Sequence, residues 1–367
     1  MLSGKAMDTI RACRFCWMCR HLCPVGLVTG REANTPRAKA LLLDMEQKGR
    51  ELMGEYAEDM FQCCLCGACA SSCETGYEPP VFIREARRNI ASGGLAPREV
   101  SDVIGDHLKA GDAPGAEAVR EVRSAGAAGT ADTLFFKGAR LSENNREMAD
   151  AFGEILEKAG VSYLMFEEEP ADGNELFDLI GETAEVKRTA VRCAEAINGS
   201  GAERVVVLNP SSARMFRQEY PAWGLELSAE VVTATVFAAE LLKSGKVKAE
   251  RADMEGPVTF HDPCRLARDL DETEAARDII AAMGYELREM IQSRKITKCC
   301  GGTVLASHSP RLAEQTASGR RADADRIGAG SILTACPGCL SVLRGGSGTA
   351  EVKDIFVFLN ERIRCSE

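Results

Sequence analysis

The sequence predicts an α + α/β chain, with a helical, cysteine-rich unit at the N-terminus followed by an α/β unit that occurs twice. Three observations lead there. Two four-cysteine runs of identical spacing, Cys13-x2-Cys16-x2-Cys19-x3-Cys23 and Cys63-x2-Cys66-x2-Cys69-x3-Cys73, flank a stretch punctuated like a helix. After Ala131, short apolar strand patterns alternate with helical ones: "TLFFKGARL", "VSYLMFEEE" and "RVVVLN", then "VTFHDPCRL", "YELREM" and "SILTA". Aligning Arg140-Leu141 with Arg265-Leu266 gives an offset of 125, and Asn209-Pro210 with Cys336-Pro337 gives 127, so one order of elements is read twice. Such alternation argues for parallel strands joined by crossover helices, with ligands gathering at strand ends. The expected boundaries are 1–95 for the helical unit, 96–130 for a linker, and 131–250 and 251–367 for the two α/β halves.

Composition narrows the function classes. The chain has 367 residues, 45% of them hydrophobic and only 5% aromatic, which suits helices packed closely on sheets. A net charge of -10 argues against nucleic acid or an anionic membrane surface as a direct partner. The longest apolar run, Val231 to Leu242, is broken by Thr233, Thr235 and Glu240, so no transmembrane segment is expected. The start "MLSGKAMDTIRAC" lacks the apolar region of a secretory signal. The expected location is cytoplasmic, or peripheral at the inner face of the membrane through a partner. Sixteen cysteines in a reducing compartment then point to metal rather than disulfides.

Both N-terminal runs match the bacterial ferredoxin pattern, in which three cysteines hold one 4Fe-4S cube and the fourth holds its neighbour. A short loop reaches three corners of a cube, and the fourth ligand comes from outside it. This assigns Cys13, Cys16, Cys19 and Cys73 to one cluster, and Cys63, Cys66, Cys69 and Cys23 to the other. Structural zinc prefers paired C-x2-C knuckles to runs of four. Between the runs, Thr35 is the expected N-cap, Pro36 the first helical residue and Gly49 the stop. Another helix is expected in "PPVFIREARRNIASGG". In the following linker, "DAPGAEAVREVRSAGAAG" has too few large apolar residues for a core and is expected to hold at most a short helix. Cys64, inside "QCCLC", is surplus and reads as a small buried thiol.

The second half carries its own cysteine set. Cys299-Cys300-Gly301-Gly302 turns two neighbouring thiols toward one point, which needs the backbone freedom of glycine. Cys264 upstream, and Cys336 and Cys339 downstream, bring five thiolates from three loops, a pattern suited to wrapping a metal-sulfur cluster. A four-thiolate zinc site is the alternative, although it leaves the doubled cysteine unnecessary. The first half has lost the set: Ala139 stands for Cys264, Asn209 and Ser212 for Cys336 and Cys339, and "EEEPADGN" occupies the place of the double cysteine. Thirteen cysteines are thus absorbed, leaving Cys64, Cys193 at a helix-core position and Cys365 in a fraying tail as structural. His261, beside Cys264, is a candidate proton donor or, more simply, a hydrogen-bonded residue behind the ligands, and Asp262 is read the same way. His21 and Lys298 carry charge near ligands and are expected to be solvated.

The arrangement Cys264-x34-Cys299-Cys300-Gly301-x34-Cys336-x2-Cys339 resembles the cysteine-rich CCG domain of heterodisulfide reductase. The N-terminal unit resembles the helical ferredoxin domain of succinate dehydrogenase iron-sulfur subunits. The whole order resembles the D-type subunit of heterodisulfide reductase and the iron-sulfur subunits of glycolate oxidase and anaerobic glycerol-3-phosphate dehydrogenase. The resemblance implies a further 4Fe-4S or noncubane centre on the five CCG cysteines. The expected function is an iron-sulfur electron-transfer subunit of a multisubunit oxidoreductase, without catalysis of its own. With no G-x-G-x-x-G after a strand, substrate oxidation falls to a partner, a flavoprotein dehydrogenase or other redox subunit. The acceptor is then a quinone-linked membrane partner or a ferredoxin-type protein. The alternative is a catalytic disulfide reductase acting at the CCG centre, against which the emptied first half argues.

Overall fold

Local capping sets the helical N-terminal unit. A computed structural model describes residues 2–112, 119–122, 131–138, 146–250, 256–302 and 304–365. Helix Pro36–Gln47 starts where Thr35 Oγ1 accepts the Ala38 N–H at 3.4 Å, with Pro36 in the first turn, and the chain leaves it through Gly49 at φ +90°. Helix Pro79–Ser92 carries Phe82, Ile83, Ala86 and Ile90 on one buried stripe and packs on helices Gly4–Ala12 and Met53–Phe61.

The stretch expected as a linker is more structured than its composition suggests. Helix Arg98–Asp112 packs against helices Asn174–Ile180 and Ala184–Gly199. Where a short helix was expected, Val119–Val122 is a strand, antiparallel to Tyr163–Phe166. Four residues with two valines carry little intrinsic preference, and an open sheet edge decides the outcome. The flanking residues 113–118 and 123–130 lie outside the described residues.

The first sheet runs in the order 119–122, 163–166, 133–136, 204–207, 230–233, and its last four strands are parallel. The second sheet joins 258–260, 331–334 and 351–354 in parallel, and the strand expected in "YELREM" is reduced to a bridge between Leu287 and Val258. Counting that bridge, both sheets place their strands in the same order. Each sheet also ends alike. Thr233 caps helix Ala234–Lys243 by accepting the Val236 N–H at 3.3 Å, and Asp354 caps helix Ile355–Asn360 by accepting the Phe356 N–H at 2.8 Å.

The halves pack reciprocally. Helix Ala234–Lys243 lies on helix Ala275–Ala282, while helix Ile355–Asn360 lies on helix Arg146–Lys158. Strands Val247–Ala249 and Ile363–Cys365 pair antiparallel across the junction, so the backbone of Cys365 belongs to a strand and not to a fraying tail. Phe152 meets Phe356 edge to face at 5.1 Å, at the centre of one apolar core shared by both halves. Ala139, Arg140 and Leu141, used above to align the halves, lie outside the described residues.

Candidate metal centres

Three cysteine loops share one local geometry. The N–H of Phe15 donates to Cys13 Sγ, that of Leu65 to Cys63 Sγ, and that of Gly301 to Cys299 Sγ, each at 3.4 Å. In each loop the residue two after the cysteine is left-handed: Phe15 at φ +51°, Leu65 at +49° and Gly301 at +82°. Non-glycine residues rarely accept this conformation, so Phe15 and Leu65 are held in it by their loops. A backbone N–H aimed at sulfur is what a thiolate ligand uses, since such bonds stabilise charge on sulfur.

The second run and Cys23 meet. Cys23, Cys63, Cys66 and Cys69 line one cavity, and Gly26 N–H donates to Cys23 Sγ at 3.4 Å. Helix Ala68–Ser71, just before Cys73, packs on helix Met18–Leu22, which carries Cys19. Two buried basic side chains stand beside the first of these groups, and burial lowers both from their ordinary values. Lys39, 2% exposed, donates to the Asp59 carbonyl, and Arg87, fully buried, donates to the carbonyls of Met60, Phe61, Cys63 and Asp178. Both feel the Cys63 sulfur, and Lys39 feels that of Cys23 as well. Burial pushes the Cys23 thiol up to about 12 and that of Cys19 to about 11, so loading metal exchanges protons for iron.

Cys264, Cys299, Cys300, Cys336 and Cys339 line a second cavity. The turn that delivers the double cysteine has no room for side chains. A Cβ on Gly301 would lie 2.8 Å from Thr316 Cβ, and one on Gly302 would lie 2.7 Å from the Gly338 carbonyl oxygen. Cys336 stands at the N-cap of helix Pro337–Gly345 and Cys339 in its first turn, at the end of strand Ser331–Thr334. An all-thiol donor set, converging on one cavity with N–H groups directed at sulfur, fits an iron-sulfur group.

The two cavities share a wall. Cys299 makes side-chain contacts with Cys64 and Cys66 of the second run as well as with Cys264 and Cys300. Arginines behind Cys264 fasten this wall. Arg265 donates to the Leu65 carbonyl at 3.2 Å, and Arg268 to the carbonyls of Cys66 at 2.6 Å and Thr297 at 2.7 Å. Asp178 ties in the first half: its carboxylate accepts from Arg84 of helix Pro79–Ser92 and from Arg265. Burial alone would raise the Asp178 carboxyl, but Arg265, Arg84 and Arg214 together hold it well below the usual range. Sequence reasoning missed this junction. Its signals were the surplus cysteine in "QCCLC" and the two arginines in "CRLARD".

In the first half, polar side chains gather around Gly138. Glu169 accepts the N–H groups of Lys137 at 2.7 Å and Gly138 at 2.8 Å, and Asp172 accepts the Asn174 N–H at 2.9 Å. Gly138, at φ +88°, lies against Asn209 and Ser212, where a Cβ would come within 2.3 Å and 2.7 Å of their atoms. Burial pushes Glu169 up to about 7 despite its two backbone donors.

The remaining candidates divide. His261 is 1% exposed, and its Nδ1 accepts from Arg320 Nε at 3.1 Å, which leaves the single proton of a neutral ring on Nε2. Nε2 has no partner and lies with Cys300 and Cys339 in a group whose donor atoms are within 4.8 Å of one another. Burial first, and the neighbouring Arg320 next, push His261 down to about 3. A neutral ring held this way by Arg320 carries its N–H on the side away from that guanidinium. Asp262 is 1% exposed and pairs with Arg277 through both oxygens, at 2.7 Å and 3.0 Å. Lys298, expected in solvent, donates instead to the Gly319 carbonyl at 3.0 Å and to Asp323 at 3.2 Å, and is mostly covered. His21 is exposed, and Cys193 is fully buried within helix Ala184–Gly199.

Comparison with known proteins matches these regions. A 4Fe-4S dicluster domain model matches residues 12–78, and a cysteine-rich domain model, CCG, matches residues 258–344. The D-type subunit of the dihydromethanophenazine:CoB–CoM heterodisulfide reductase of Methanosarcina barkeri is 26% identical over 403 residues, covering 100% of this chain and 97% of the relative. Along its whole length, the chain is similar to this heterodisulfide reductase subunit. The glycolate oxidase iron-sulfur subunit of Escherichia coli is 21% identical, covering 94% of this chain and 92% of its own. A crystal structure of a hypothetical protein from Helicobacter pylori shares the fold, with a TM-score of 0.57 at 9% identity over 88% of this chain and 66% of that one. Among the described residues, no helix is long and apolar enough to cross a membrane.

Proposed function

We propose that this chain is an iron-sulfur electron-transfer subunit of a multisubunit oxidoreductase. In this reading Cys13, Cys16, Cys19 and Cys73 hold one 4Fe-4S cluster, and Cys63, Cys66, Cys69 and Cys23 hold a second. Cys264, Cys299, Cys300, Cys336 and Cys339 hold a third centre. Such groups, when bound, exchange single electrons with little change in geometry. The contact of Cys66 with Cys299 carries the proposal, because it brings ligands of adjacent centres together across a wall of two side chains. Arg265 and Arg268 hold that wall by gripping the carbonyls of the second ferredoxin loop. The guanidinium of Arg87 places positive charge beside the second cluster and favours its reduced form.

The shared strand order, the matching caps and the reciprocal packing support a duplicated α/β architecture in which 131–250 has lost its ligands and 251–367 has kept them. With Glu169, Asn209 and Ser212 in the first half's place, disulfide cleavage by a pair of such centres is disfavoured. The similarity to named subunits supports a redox partner, such as a flavoprotein dehydrogenase, on one side and a quinone-linked or ferredoxin-type acceptor on the other. A cytoplasmic or membrane-peripheral setting fits.

Iron and sulfide analysis with low-temperature EPR on protein prepared without oxygen tests the reading: about twelve irons per chain are expected, roughly four per cluster. About eight irons and one zinc would remove the third centre. Turnover of a small disulfide with reduced viologen, abolished by Cys300→Ser with the cubes intact, would replace electron transfer by catalysis.

A further inference from the structure

Cys64 is the cysteine that neither ferredoxin run uses, and its loop decides where it points. The loops Cys13-Arg14-Phe15 and Cys63-Cys64-Leu65 superimpose in kind: the first residue accepts the N–H of the third, and the third is left-handed. In the first loop the middle residue, Arg14, is exposed and donates back to the Arg11 carbonyl at 2.9 Å. In the second loop the middle residue, Cys64, stands between the two cavities and lines both. In the CCG cavity it stands together with Cys264, Cys299, Cys300, Cys336 and Cys339, and it touches Cys299. The turn Cys299-Cys300-Gly301 has the same geometry, with Cys300 in the middle place and lining the same cavity as Cys64.

A second observation stands behind the cysteines of the cavity. His261, 1% exposed, has an Nε2 without a hydrogen-bond partner and groups with Cys300 and Cys339, both of which line the cavity. A buried N–H left this way is costly unless something accepts it. Iron-bound sulfur is such an acceptor.

We propose that Cys64 is a ligand of the CCG-domain centre, a sixth thiolate supplied by the ferredoxin domain. Ligation exchanges the Sγ proton, released to solvent, for iron, with no change of oxidation state. The centre is then held by both domains, and Cys64-Leu65-Cys66 becomes a three-residue covalent bridge between ligands of neighbouring clusters. This rests on the reading that the cavity holds an iron-sulfur centre. That reading fails if the wild type lacks a third set of iron signals, whereas the present one is tested only against a wild type that has them.

The test compares full-length wild type with Cys64→Ser, Cys64→Ala and, as the equivalent position of the other loop, Arg14→Ala, all prepared without oxygen. Iron content, EPR and Mössbauer spectra are read. In both Cys64 variants the signals of the two cubes are expected to persist while those of the CCG centre shift or vanish, and Arg14→Ala should match the wild type. CCG signals identical to wild type, or loss of the cubes along with them, would overturn the proposal. Alkylation of loaded wild-type protein, read by mass spectrometry, keeps it testable if the variants do not fold. Cys64 should resist labelling until chelation strips the CCG iron, and labelling with all iron retained would overturn it.

Discussion

Asp178 is a residue whose removal should be felt in three places. It sits where helix Pro79–Ser92, the first half and the Cys264 loop meet, and its carboxylate is paired with Arg84 and Arg265. Asp178→Asn removes the counter-charge of Arg84 and leaves Arg265 with Asp269 alone, a loss of about 3–5 kcal/mol at most for a broken buried pair. Chemical denaturation should read that loss. The sign of the pH dependence follows from its lowered native value. The stabilisation is fully present above the unfolded carboxyl value of about 3.9, declines as pH falls beneath it, and is gone once pH has passed through the native value. Stability measured from pH 6 downward should therefore fall more steeply in the wild type than in Asp178→Asn. Nothing around "FDLI" in the sequence announces this role, because a buried ion pair is created by three segments about ninety residues apart. The cysteine runs were legible for the opposite reason: spacing within one loop already encodes the geometry of a cluster corner.

Elements show the same division. The turn around Gly301 and Gly302 was legible from composition, and the structure supplies its cause in the 2.7 Å that a Gly302 Cβ would leave to the Gly338 carbonyl oxygen. Gly302→Ala should therefore deplete the third centre while the iron of the two cubes stays, as iron analysis and EPR would read. The strands Glu230–Thr233 and Glu351–Asp354 were not foreseen, because "EVKD" has no apolar run and owes its conformation to parallel pairing with residues 331–334. Glu169, buried in the first half, carries a pH signature of opposite sign to that of Asp178. Its native value of about 7 lies above the unfolded value of about 4.3, so the native state binds more protons between them. This contribution falls as pH rises from about 4.3 to about 7. Thermal melts should show Glu169→Gln losing less stability than the wild type over that interval.

At the scale of the whole molecule, the arrangement depends on docking a loop of one domain onto a turn of another. Arg268 is the most direct fastener: its guanidinium joins the Cys66 carbonyl to those of Lys295 and Thr297, which lead into the double cysteine. A hydrogen bond to a charged group contributes about 1.5–3 kcal/mol, and Arg268→Ala removes several at once without touching a thiol. Iron content should stay at the wild-type level, because every ligand remains. The distance between centres should not stay fixed, since the Cys66–Cys299 contact has lost one of its two arginine clamps. In partly reduced protein, magnetic interaction between neighbouring paramagnetic centres broadens their EPR signals when ligand shells touch. That broadening should weaken in Arg268→Ala, and transfer from a chemically reduced cube to the third centre, followed by stopped-flow absorbance, should slow. An unchanged rate and unchanged line shape would mean that Arg265 and the Asp178 junction hold the domains by themselves, and Arg265→Ala combined with Arg268→Ala would then separate them.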